Sequence, residues 1–167
     1  MRYLDVPYFK QDRLYTCGPT SLQMVFAHFG IVVSEDELAK EVESDADIGT
    51  EHHAMIEAVK QRGLHAYVND NASLEELRYF MDTFEVPIII RYLEPDKDED
   101  HYAVVIGVSD EEVVLNDPWH GARVHFRHDA FTKRWTCDVL GTCNQWLMAV
   151  STEPFPLGHQ YHPNATT

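Results

Sequence analysis

Apolar residues recur at helical spacing through the first half of the chain and at alternating or continuous spacing through the second. Leu22, Val25, Phe26 and Phe29 lie three or four positions apart behind Cys17-Gly18-Pro19. This predicts a helix with Pro19 in its opening turn and Gly30 at its stop. Ser34 with Glu37, and Ser73 with Glu76, are capping boxes. The first starts a helix carrying Leu38, Ala39 and Val42, the second one carrying Leu74, Leu77, Met81 and Phe84. Between them Thr50 is placed to cap a helix with Ala54, Met55, Ile56 and Val59 inward, Gly63 closes it, and 65–68 reads as a short strand. From Val86 the period changes. The stretches 87–92, 101–108, 113–116, 122–126 and 146–150 are β-branched, aromatic or alternating, hence strands, with a short helix at 129–135. Helices first and an antiparallel sheet after them make an α+β arrangement, two lobes of one domain over 1–150. The stretch 151–167, with Pro154, Pro156, Gly158 and Pro163, is predicted to be a loosely ordered tail.

Composition narrows the partners. A chain of 167 residues, 44% apolar, can bury one good core. Twenty-eight acidic against 13 basic residues give a formal charge of −15, which opposes binding to nucleic acid or anionic lipid. The acidic runs at 35–47 and 96–100 read as solvated faces and select no substrate. No run approaches the roughly 20 apolar residues of a membrane helix. The N-terminus has no signal-like apolar stretch, so the expectation is a soluble, cytoplasmic protein. Three cysteines make no disulfide framework. Cys137 and Cys143, six apart, are read as structural, able to close a small bridge in an oxidising compartment. Ten histidines are scattered, His52 and His53 early in a helix, with no pair at ligand spacing backed by cysteines or carboxylates. No metal and no cofactor are expected.

The chemistry gathers around Cys17. At the mouth of a buried helix the free amides and the positive dipole end favour thiolate over thiol, and the thiolate is the nucleophile. Such a nucleophile needs a base beside it and an orienting group behind the base. His101 opens one strand and Asn116-Asp117-Pro118 ends the next. The polar turn at 109–112 lies near the midpoint between positions 101 and 117, so an antiparallel hairpin brings both to one end of the ribbon. Asp117 can then fix the tautomer of His101 and support its imidazolium. Gln11, just upstream of the helix, can donate to an oxyanion together with the Cys17 backbone N–H. Taken singly, each residue has a plainer reading: a buried apolar cysteine, a strand-edge histidine, an aspartate making turn contacts before Pro118, and an exposed loop glutamine. Together they favour covalent thiol chemistry. His120 and His125 are the alternative bases.

The Gln11 to Gly30 segment, the helix after Val33-Ser34, the strand Asp100-His101-Tyr102-Ala103-Val104-Val105-Ile106-Gly107 and the stretch Val114-Leu115-Asn116-Asp117-Pro118 resemble, in this order, the papain-like cysteine peptidases of the bacteriocin-processing family. The resemblance covers about residues 5 to 150. It implies a papain-like fold in which the nucleophile helix packs against the C-terminal sheet. It also implies Cys17 as nucleophile, His101 as base and acid, Asp117 as orienting carboxylate, Gln11 in the oxyanion hole, and a peptide or protein substrate. Thr16 stands where exporter-type members often carry aspartate, so the stand-alone branch is the closer comparison. A thiol acyltransferase or deamidase, and a peptide-binding module without catalysis, are the rival readings.

Overall fold

Five α-helices and seven strands form among residues 2–137 and 143–164, the parts of the chain that the computed structural model describes. In chain order they are α1 (Cys17–His28), α2 (Glu35–Glu41), α3 (His52–Gln61), β1 (His65–Asn69), α4 (Leu74–Tyr79), β2 (Ile88–Leu93), β3 (Asp100–Val108), β4 (Glu112–Asp117), β5 (Gly121–Arg127), α5 (His128–Arg134), β6 (Leu147–Ser151) and β7 (Gln160–Tyr161). A π-helical turn over Phe80–Phe84 continues α4. The strands form one sheet in the order β5-β4-β3-β2-β6-β1-β7, every neighbouring pair antiparallel. The α+β class read from the patterning is the class observed.

Alternation along the strands sends side chains to two separate cores. Tyr102, Val104, Ile106, Ile89, Met148 and Val150 meet Leu22, Val25 and Phe26 of α1 and Met55 and Val59 of α3 on one face. On the other, Ile88, Ile90, Tyr92, Ala103, Val105 and Leu115 meet Leu77, Phe80, Phe131 and Trp135. At 12 residues α1 is too short to hold its shape in water alone. Full burial of Leu22, Val25 and Phe26, worth about 1.5–3 kcal/mol each, supplies what propensity does not.

Both capping boxes form, with Ser34 accepting from the Glu37 amide and Ser73 from the Glu76 amide. Two expectations give way. Thr50 does not cap α3; Glu51 holds that position, and the Thr50 hydroxyl bonds Ser44 instead. The stretch after Ser151 is not loose over 152–164. Phe155 is buried against Phe80 and Phe84, and β7 pairs with β1 through Ala66–Tyr161 and Tyr67–Gln160. Counting prolines missed this because one large aromatic and an open sheet edge supply enough burial and hydrogen bonding to order a short segment.

Candidate active site

Cys17 is the first residue of α1 and half-buried. Thr16 gives that helix no side-chain cap. Its hydroxyl turns back into the preceding loop, donating to the Arg13 carbonyl at 2.9 Å, so the first-turn amides keep no side-chain acceptor. Gly18 sets the helix in place. A Cβ there would come within 2.7 Å of Thr50 Oγ1 and 2.9 Å of Thr50 Cβ, so only glycine lets the start of α1 approach the entrance to α3 this closely.

From the sheet side, Tyr102 N–H points at Cys17 Sγ over 3.5 Å. The His101 imidazole lies close enough to the Cys17 thiol for each to shift the other's ionisation. His101 Nε2 donates to Asp117 Oδ1 at 2.7 Å, so Nδ1 is the nitrogen left for sulfur. The hairpin expected around 109–112 forms, with Val104 opposite Asn116 and Val108 opposite Val113. Continuing the register at the far end places Asp117 opposite Ala103, one diagonal step from His101 on the same face. The carboxylate is fully buried and fully used. Oδ1 also accepts from the amides of Trp119 and His120, at 2.9 and 3.0 Å, and Oδ2 takes the hydroxyl of Tyr92, the direct cross-strand partner of His101.

These contacts decide the charges. Burial opposes ionisation of all three groups, and in each case the neighbours win. The Cys17 thiol lies below its ordinary value because the His101 charge and hydrogen bond, the Tyr102 amide and Arg91 stabilise the thiolate against burial. Burial pulls the His101 imidazole down, but the Cys17 thiolate and Asp117 push it up to about 10. Asp117 falls below the usual carboxylate range, because bonds from His101, Tyr92 and the His120 amide outweigh burial. Each charge favours the other, the thiolate holding the imidazolium and the imidazolium the thiolate.

Gln11 is buried beside this group, its amide N–H tied to the Pro118 carbonyl at 2.9 Å. Its side-chain Nε2 donates to the carbonyls of Arg13 and Leu14, at 2.8 and 3.3 Å, while Oε1 has no protein partner. His101, Gln11, Leu14, Glu94, Asp100 and Trp119 bound a cleft of about 90 Å³. A larger cavity of about 620 Å³, bounded by Arg2, Asp5, His28 and Glu85, touches none of the reactive groups. His120 bonds Glu94 Oε2 at 3.0 Å, and His125 bonds Glu112 on the exposed face of β5. Sequence reading missed Tyr92, Arg91 and the Tyr102 amide. Arg91 adds a favourable charge for the sulfur while donating to the Thr50 carbonyl and the Tyr102 hydroxyl and pairing with Asp100 at 3.4 Å.

Residue spacing gave the histidines no cysteine partners, yet the fold supplies them. Cys137 and Cys143 are joined by a disulfide, with Cα atoms 5.0 Å apart, and His52 Nε2 lies 4.0 Å from Cys137 Sγ. No helix among the described residues is long and apolar enough to cross a membrane.

The family model described as the Peptidase_C39 like family matches residues 3–138. An uncharacterised protein of Methanothermobacter marburgensis is 34% identical over 131 residues, covering 78% of this chain and 84% of that protein. Among solved structures, a double glycine motif protease from an AMS/PCAT transporter, in complex with the leader peptide, superposes with a TM-score of 0.68. It is 22% identical and the match covers 89% of this chain and 91% of that one. A C39-like peptidase from Bacillus anthracis reaches a TM-score of 0.69 at 20% identity, covering 92% of this chain and 99% of that one. The fold is that of the papain-like peptidases.

Proposed function

The chain belongs to the Peptidase_C39 like family, a cysteine-type hydrolase class, and from that premise we propose that it hydrolyses peptide bonds through Cys17, His101 and Asp117. The observation that carries this reading is the line of half-buried sulfur, buried imidazole and buried carboxylate, in which His101 donates to Asp117 and is electrostatically coupled to Cys17. The Cys17 thiolate attacks the peptide carbonyl carbon, and the carbonyl π electrons move onto oxygen. Backbone N–H groups at the start of α1 receive that oxyanion, and Gln11 adds a donor by exchanging its longer 3.3 Å bond to Leu14 for the substrate oxygen. His101 gives its Nδ1 proton to the leaving amine as the C–N bond breaks. It then takes a proton from water as the water oxygen attacks the thioester carbon; the carbon–sulfur bond breaks, the acid leaves, and sulfur departs as the thiolate beside the imidazolium. Asp117 holds the imidazole in one tautomer throughout.

Trp119 and Leu14, both exposed large apolar side chains, form the walls on which an extended peptide lies beside His101. The leader peptide held by the double glycine motif protease supports a peptide as the substrate class here.

The test is incubation of the purified chain with a peptide library that includes double-glycine leaders, with and without an amine acceptor, and mass analysis of the products. New N-termini are expected from the parent chain, a fall of about 10⁴–10⁶ in turnover from Cys17→Ala, and a fall of about 10²–10³ in kcat from Gln11→Ala. Cleavage that survives Cys17→Ala, or products that are only amine adducts, would overturn the reading.

A further inference from the structure

We propose that, once the Cys137–Cys143 bond is reduced, His52 Nε2 and the two cysteine thiolates bind one zinc ion, so that this corner of the molecule alternates between a disulfide and a metal site. The inference stands apart from the hydrolytic reading: its three donors are none of the reactive residues, and only Arg91 and Asp100 border both places.

Three donor atoms, one imidazole nitrogen and two sulfurs, lie within 4.8 Å of one another. They come from the start of α3 and from the two ends of the stretch joining α5 to β6. Cys₂His is a zinc donor set that leaves a fourth tetrahedral place for water or another ligand. Bond lengths of about 2.3 Å to sulfur and about 2.0–2.1 Å to nitrogen imply nitrogen–sulfur separations of about 3.5 Å and a sulfur–sulfur separation of about 3.8 Å. His52 Nε2 and Cys137 Sγ already stand at 4.0 Å. The sulfurs can part to the required distance by rotation about their Cα–Cβ bonds.

Reduction does not release the cysteines, because backbone bonds hold them independently of sulfur. Thr136 and Asn144 form a β-bridge, the Cys137 amide donates to the Cys143 carbonyl at 3.2 Å, and the Thr136 hydroxyl donates to that carbonyl at 2.9 Å. The third donor is equally fixed, since the His52 ring stacks on Trp146 at 4.0 Å with planes 16° apart. A cavity of about 340 Å³, bounded by Glu51, Arg91 and Asp100 as well as the three donors, gives room for the fourth ligand. Two thiolates neutralise the ion, so the neighbouring Arg91, paired with Asp100, meets no added positive charge.

The chemistry balances. A dithiol reductant supplies two electrons and two protons, the S–S bond breaks, two thiols form and the reductant becomes a disulfide. Zinc then forms two Zn–S bonds and one Zn–N bond, and the two thiol protons leave to solvent.

The experiment uses the full chain carrying Cys17→Ser, so that Cys137 and Cys143 are its only thiols. After reduction and removal of metal, titration with Co²⁺ should give a thiolate-to-cobalt charge-transfer band saturating at one ion per chain. Zinc should erase the band, and two protons should be released per ion bound. The His52 ring resonances should shift on zinc addition, and the oxidised chain should show no band. His52→Ala should weaken binding by more than about tenfold, the loss seen when merely an outer partner of a ligand is removed. Cys143→Ser should weaken it further, with circular dichroism confirming that each variant is folded. A reduced, folded chain without the band, a band in the oxidised chain, or His52 resonances unmoved by zinc would overturn the proposal. The resonances are read in the chain that retains His52, so they decide the matter even if His52→Ala does not fold.

Discussion

Two imidazole–carboxylate pairs stand side by side with their rings 6.1 Å apart, His101 with Asp117 and His120 with Glu94. The first is buried at the end of the β3–β4 hairpin, and its imidazole is electrostatically coupled to Cys17. The second lies closer to solvent, where Glu94 is also occupied by the amides of Asp96 and Lys97 and His120 Nδ1 faces Asp96 at 3.7 Å. A short contact to a carboxylate is therefore common to both and identifies neither as a base. What separates them is the thiol. A charge on Cys17 and a charge on His101 stabilise each other away from water, and the outer pair has no such counterpart.

That contrast can be broken most severely at the rings themselves. His101→Ala is expected to lower kcat/KM by about 10⁴–10⁶, and His120→Ala by less than about tenfold, measured on whichever peptide the library yields. Comparable losses would mean that the outer imidazole also transfers protons. The carboxylates come next. Asp117→Asn should reduce kcat by about 10²–10⁴ with the fold retained, because the amide oxygen still accepts from Trp119 and His120 while the charge that supports imidazolium is gone. Glu94→Gln should leave kcat within about tenfold. The smallest effect sharpens the comparison through pH. His101 is raised to about 10, so its pairing stabilises the native state fully below the ordinary imidazole range and is lost as pH climbs through about 10. Asp117 is depressed, so its share is present above the ordinary carboxylate range and disappears as pH falls through its lowered value. Removing sulfur takes away the strongest support for imidazolium. The Cys17→Ser chain, followed by denaturant unfolding across pH, should therefore lose stability at a lower alkaline pH than the parent, and coincident curves would show that the sulfur contributes nothing to the imidazole charge.

The parts of this arrangement that were legible in the sequence are those written in local patterns. Cys17-Gly18-Pro19 before a helical stripe locates the helix mouth, two capping boxes locate helix starts, and a polar turn midway between two apolar runs pairs the strands that carry His101 and Asp117. Tyr92 was illegible because its partnership with Asp117 depends on which residue of β2 lies opposite His101, and nothing in a run of apolar residues states that register. The same holds for Thr50, a plausible cap by type, whose side chain is taken instead by Ser44 and by the close approach of Gly18. His52 and Cys137, 85 positions apart, come together only through the packing of α3 against the far end of the sheet. Gln11 shows a subtler limit, since its position made a place near Cys17 geometrically reasonable without deciding it, and the bonds its amide makes to Arg13 and Leu14 were not readable at all.

One oxygen of Asp117 closes the turn into Trp119 and His120 and also receives His101. The tilt of the imidazole is therefore inherited from a bend in the main chain, and the side chain has no rotational freedom left to surrender when a substrate arrives. Alignment is completed during folding, once, and any lengthening of the 118–121 connection would misaim the His101 ring even with all four named residues intact.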